Sequence, residues 1–248
     1  MDQDPSLAII TGVAVTLAQK VFGSTFDLIS EEVRGVTQQG IERLKRVFEN
    51  ANKKSLNASD SEAAVPMRVA AKVIQEARFS ADELMVEYFG GVLASSRTRI
   101  PRDDRIASLV ALISRLSSYQ LRTHYILYRT IKRLFNGTDI KMSSIEGRAR
   151  VQVFVPLSVY NLAMEFSVDE DERAILDHAM AGLLHEDLVE HETTWSGHIG
   201  DSVRIDSTEE GILVSPSIEL QAMFEALPMA NGQVITEGSL EVQNIPIE

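Results

Sequence analysis

Three times along the chain a serine is followed, three residues later, by glutamate or glutamine, and each time an apolar stripe at helical spacing comes next. The pairs are Ser80-x-x-Glu83, Ser117-x-x-Gln120 and Ser167-x-x-Glu170. Such a pair exchanges two hydrogen bonds and satisfies amide donors that a helix start leaves open. Leu84, Met85, Tyr88, Phe89, Val92 and Leu93 follow the first pair; Leu121, Tyr125, Tyr128, Ile131 and Phe135 the second; Ile175, Leu176, Ala179, Met180 and Leu183 the third. Pro66 opens a further helix with Val69, Val73 and Ala77, and Ile106, Leu109, Val110, Ile113 and Leu116 make another stripe. Repeated start signals of this kind predict a mainly α fold.

Around that core the chain reads as two modules. Residues 1–140 form a helical module: leading helices over 1–50, a polar linker over 52–61, and a helical core over 62–136 that ends at Asn136-Gly137. Residues 141–227 read as a smaller α+β module of winged-helix-like order. Its pieces are an alternating strand at Arg150–Val155, a helix over Leu157–Phe166, the helix after Ser167, and β-type segments at Leu188–Trp195, Val203–Ile205 and Gly211–Val214. A last helix starts at Ser215-Pro216. Residues 228–248, broken by Asn231-Gly232 and Glu237-Gly238, read as a flexible tail.

Charge follows the same division. Residues 1–150 carry 22 Lys/Arg and 17 Asp/Glu, and residues 151–248 carry 2 and 19. An acidic second module repels nucleic acid and anionic lipid, so basic contacts must come from the first. There is no cysteine, which excludes disulfides, thiolate metal sites and a cysteine nucleophile. Asp2 and Asp4 stand where a signal peptide carries positive charge. The uncharged run Ser6–Ala18 is 13 residues long, against the ~20 that a spanning helix needs. These features predict a soluble, cytoplasmic protein.

The stretch Pro66 to Ser96 reads PMRVAAKVIQEARFSADELMVEYFGGVLASS. A proline-opened helix is followed by a junction of small and acidic residues, Ser80-Ala81-Asp82-Glu83-Leu84. An acidic-leucine helix then ends in Gly91-Val92-Leu93-Ala94-Ser95. Leu116-Ser117-Ser118-Tyr119 supplies a Leu-Ser break between two further helices, and Lys20 to Phe48 supplies a leading helix pair. Over residues 20–136 this order resembles the abortive-infection alpha family of bacterial phage-defence proteins. Where many of its members have a tryptophan and a second leucine, this chain has Tyr88-Phe89-Gly90-Gly91. The resemblance implies a role in phage defence by harming or arresting the infected cell. It implies no reaction, no cofactor and no catalytic residues.

Other chemistry is weakly supported by the residues themselves. His178, His185, His191 and His198 lie near Glu186, Asp187, Glu190 and Glu192, but no H-E-x-x-H spacing is present, and His124 stands apart. Asp169-Glu170-Asp171-Glu172 suits a first helical turn, where acids complement the helix dipole. No nucleophile elbow and no phosphate-binding glycine loop occurs, so the chain is expected not to be an enzyme. Two surfaces stand out as contact candidates. Arg97, Arg99, Arg102, Arg105, Arg115, Arg122 and Arg129, interleaved with Tyr119, Tyr125 and Tyr128, could meet a partner or, in a winged-helix-like regulator, nucleic acid. A solvated face, or attraction to the acidic module, explains the arginines better than nucleic acid does, and the expectation is a protein partner or self-association. The second surface is the N-terminal helix face of Leu7, Ile10, Ala14, Leu17 and Val21, suited to self-association or to membrane contact on activation.

Overall fold

The computed structural model describes residues 5–27, 30, 33, 36–55, 63–80, 82–100, 102–135, 151–189, 210–215, 217 and 243–246. The chain divides into two compact units, Met1–Arg115 with Glu225–Gly232, and Leu116–Phe224 with Gln233–Glu248.

The first unit is helical among its described residues: α1 (Pro5–Phe22), α2 (Gln38–Ser55), α3 (Met67–Ala77), α4 (Glu83–Ser95) and α5 (Ala107–Arg115). Helix α2 lies along both α1 and α4, and α3 packs on α4 and α5. Apolar positions three and four apart put Ile41, Leu44, Val47, Phe48 and Ala51 of α2 in the core. They meet Leu84, Tyr88, Phe89, Val92 and Leu93 of α4 and Val69, Val73 and Ala77 of α3, all buried. A 3₁₀ turn over Gly23–Thr25 ends α1, with Gly23 at φ 58°, where a side chain would be strained. The Thr25 hydroxyl donates to the Val65 carbonyl at 2.7 Å, and Ala64 pairs with Thr98 in a two-way bridge.

The second unit holds α6 (Ser118–Phe135), β1 (Val151–Pro156), α7 (Leu157–Met164), α8 (Glu172–His185), β2 (Gly211–Val214) and β3 (Gln243–Pro246). Strand β1 is central, antiparallel to β2 on one side (Val153 opposite Val214) and to β3 on the other (Val153 opposite Asn244). Helix α6 packs on α7, α8 and β1. Helix α7 ends at Glu165, whose left-handed backbone returns its amide to Asn161 and Leu162. Beneath α6, the Thr123 hydroxyl and the Tyr160 phenol lie 2.7 Å apart in the core, and burial pushes the phenol up to about 12.

Several boundaries differ from the sequence expectation. Residues 62–136 do not form one core, because α6 belongs with the sheet and α7 and α8. Leu121, Thr123, His124, Tyr125, Ile126, Leu127, Tyr128, Thr130 and Ile131 are all buried. A helix covered this far around its axis is a central helix, not one side of a hairpin. Asn52–Ser55, read as linker, is the last turn of α2. Residues 243–246, read as tail, form β3, whose terminal Pro246 suits an edge strand. The expected strands near 190–205 and the helix after Ser215 lie outside the described residues.

The capping pairs also separate. Only Ser117–Gln120 closes both ways: the Gln120 amide donates to Ser117 Oγ at 3.2 Å, and the Ser117 amide donates to Gln120 Oε1 at 2.9 Å. For α4 and α8 the side chains that cap are Asp82, accepting from the Leu84 amide, and Asp171, accepting from the Ala174 amide. Cut at the observed boundary, the first unit carries 15 Lys/Arg and 16 Asp/Glu, and the second 9 and 20. The positive excess of the first 150 residues therefore lies in 116–150, which begins the second unit.

Candidate functional site

The seven arginines are divided between the two units. Arg97, Arg99, Arg102, Arg105 and Arg115 belong to the first unit, Arg122 and Arg129 to the second. Arg115, Arg122 and Arg129 recur every seven residues, but the helix breaks at Leu116–Ser117, so only Arg122 and Arg129 share one. Arg97 follows the end of α4 and turns inward. Its Nη1 donates to the carbonyls of Lys20 and Val21, both at 3.1 Å, and its Nη2 to Ala63 at 2.7 Å. It thereby satisfies carbonyls that the last turn of α1 leaves open and places positive charge at the negative end of that helix. Arg105 grips both Asp103 oxygens, at 2.7 and 2.9 Å, which holds the Asp103 carboxyl below its ordinary range. Arg122 donates Nε to the Ala163 carbonyl at 3.2 Å and pairs with Glu165. The Arg129 guanidinium stands 5.9 Å from the Tyr125 ring centre.

The interleaved tyrosines are not offered for base stacking. Tyr125 and Tyr128 are buried, and the Tyr119 hydroxyl donates to Glu170. That hydrogen bond, with a second from the Ser167 amide at 2.6 Å, keeps the Glu170 carboxyl below its ordinary value and raises the Tyr119 phenol. The sequence pattern placed aromatics among cations but could not say which way a centrally packed helix turns them.

On α1, Ala14, Ala18, Val21 and Phe22 are buried and Leu17 is half-buried. Phe22 meets Phe48 of α2 edge to face, with ring centres 5.2 Å apart. The expected face therefore turns toward Ala18 and Phe22, which share the i, i+4 spacing of Ala14 and were passed over in favour of larger aliphatics. Val13 points outward at 40% exposure, and the side chains of Leu7 and Ile10 lie outside the described residues. No helix among the described residues is long and apolar enough to cross a membrane.

The histidines diverge. His178 is exposed on α8 with its Nε2 3.1 Å from Ser117 Oγ, a contact beside the closed capping pair. His185 ends α8, and His124 is buried against Tyr128. His191 and His198 lie outside the described residues. Among the described residues no three His, Asp or Glu side chains converge as a metal site. One charged contact had no sequence signal. Lys54, 3% exposed, crosses from α2 to α4, where its ammonium meets the Glu87 carboxylate at 2.6 Å and the Glu87 carbonyl at 3.0 Å.

Comparison with protein-family models, with curated proteins and with solved structures gives no match.

Proposed function

We propose that the chain is a bacterial abortive-infection protein of the alpha type, acting in the cytoplasm through protein or membrane contacts rather than catalysis. The observation that carries this reading is the Pro66–Ser96 stretch. The residues that resemble the family make up α3 and α4, and their apolar members fill the core of the first unit. A motif whose apolar members are buried in the core supports a scaffold role better than a reactive one. Helix α1 is the contact element of this reading. It is anchored through Ala14, Ala18, Val21 and Phe22 and held at its end by Arg97, and its release would expose that apolar face. The test is phage challenge of cells carrying the gene in its own operon. The expected result is reduced plating for part of a broad phage panel, with loss of infected cells. Unchanged plating and survival across the panel would remove the defence reading.

A second reading, a winged-helix-like nucleic-acid-binding regulator, draws support from the second unit. Its order of helix, strand, two helices and two strands fits such a module. Two features weigh against it. Strands β2 and β3 flank β1 and do not pair with each other as a wing would. Helix α8, the second of the helix pair, carries Glu172 and Asp177, and its Arg173 pairs with Asp177. Such a face repels a phosphate backbone. Salt-dependent DNA binding that is lost on Arg122→Glu with Arg129→Glu would favour this reading over the first.

A further inference from the structure

Two adjoining clefts in the first unit share Arg68 and Asp104. One, of about 540 Å³, is lined by Pro66, Met67, Arg68, Ala71, Arg102 and Asp104. The other, of about 400 Å³, is lined by Arg68, Lys72, Asp104, Arg105, Ala107 and Ser108. They lie where the first half of α3 meets the loop that enters α5. On α3, Arg68 and Lys72 are four residues apart and share a face with Ala71 between them.

Four cations and two carboxylates meet here, and both carboxylates are already engaged. Asp103 gives both oxygens to Arg105, and Asp104 accepts from Arg68 Nη1 at 3.0 Å. Lys72 reaches only the Ala107 carbonyl, at 3.4 Å, and Arg102 is exposed and makes no ion pair among the described residues. One uncompensated positive charge is thus left in each cleft, Arg102 in the first and Lys72 in the second, on either side of the shared Arg68 and on a unit whose overall charge is close to balanced. Arginine forks and a lysine point charge together suit a dianionic tetrahedral group. Beside them Pro66, Ala71 and Met67, which is 49% exposed, form an apolar floor.

We propose that these clefts bind a phosphate group carried on an apolar or aromatic body, with Lys72, Arg102 and Arg68 on the phosphate and Met67 and Pro66 beneath the body. The source is a soluble phosphorylated molecule or a phospholipid headgroup. The inference stands on the clefts alone and does not depend on the defence reading.

Calorimetric titration of the full chain with phenyl phosphate tests the soluble source, and flotation with phosphatidic acid vesicles, whose headgroup is a phosphomonoester, against phosphatidylcholine vesicles tests the lipid source. Binding in either arm is expected, with slowed hydrogen exchange over 67–72 and 102–108. Lys72→Glu with Arg102→Glu is expected to weaken it at least tenfold. Lys72→Met with Arg102→Gln, which removes charge without reversing it, provides a second pair should the first fail to fold. Arg46→Glu, whose partner Glu83 lies outside both clefts, is expected to leave binding unchanged. The proposal is overturned by no binding in both arms, by protection elsewhere in the chain, or by an equal loss on Arg46→Glu.

Discussion

Gly90 of α4 lies against Asn50 of α2 so closely that a Cβ on Gly90 would stand 2.8 Å from the Asn50 Cβ and 3.3 Å from the Ala51 amide nitrogen. The neighbours are a side-chain root and backbone, neither of which can swing aside. A larger residue must part the two helices that carry the core of the first unit. Gly90→Leu is therefore expected to destabilise by about 2 kcal/mol, the overpacking cost outweighing the gain in helix propensity. Thermal unfolding followed by circular dichroism should show a midpoint lower by roughly 4–8 °C. Gly12→Ala is the matched control. A Cβ there meets nothing within 4 Å, so the midpoint should rise slightly.

Lys54 and Glu87 join the same two helices by charge. Removing Glu87 leaves the ammonium of a side chain that is 3% exposed without its carboxylate, so Glu87→Gln is expected to cost about 3 kcal/mol in denaturant unfolding. Burial lowers the Lys54 value below 10.5, with Glu87 opposing. The folded state then releases the proton before the unfolded state does, so this lysine's contribution grows more favourable as pH rises from its lowered value toward 10.5. The stability of the wild type relative to Lys54→Met should increase over that alkaline window. A flat difference would show that the ammonium is not desolvated.

How far the sequence exposed this fold depends on whether a feature is local. Periodicity placed the helices, and Pro66 and Ser117–Gln120 marked true starts, because those signals act within one turn. It favoured Ser80 and Ser167 as caps over Asp82 and Asp171, two and four residues on, since either oxygen suits a helix start and only the entering backbone decides. Fold-level partners were not legible. The sides of α6 and the pairing of β3 depend on elements distant in sequence. For the same reason the inward turn of Arg97, which reaches 77 residues back to Lys20, had no local signal. The clefts at Arg68 and Lys72 were invisible because their lining comes from α3 and from the loop before α5.

Glu170 gives the second unit a separate acid response. The Tyr119 hydroxyl and the Ser167 amide stabilise its charged form, so its folded value lies below the ordinary 4.5. Its contribution is complete above 4.5 and is lost as pH falls through the lowered value. Tyr119→Phe removes the larger cause. Between pH 4.5 and acid unfolding the wild type should lose stability more steeply than the variant, and parallel profiles would mean that the hydrogen bond is not formed in solution.

Arg97 pins the end of α1. Its guanidinium holds Lys20 and Val21 at the end of α1 and Ala63 beside them, and the Thr25–Val65 bond ties the same corner. Arg97→Lys keeps the charge but loses the planar fork that spans three carbonyls. It should therefore loosen α1 without disturbing α4. Hydrogen exchange over 14–22 is expected to accelerate at least tenfold, while 84–93 stays protected. Ala18→Asp, which places a charge at a fully buried position of α1, should instead lower the abundance of the folded protein. If α1 is the contact element, Arg97→Lys should also raise self-association or vesicle binding, and Gln19→Glu with Lys20→Glu on the exposed side of α1 should cancel that gain with the fold intact. Faster exchange with no new association would leave α1 a packing helix and would end the release mechanism.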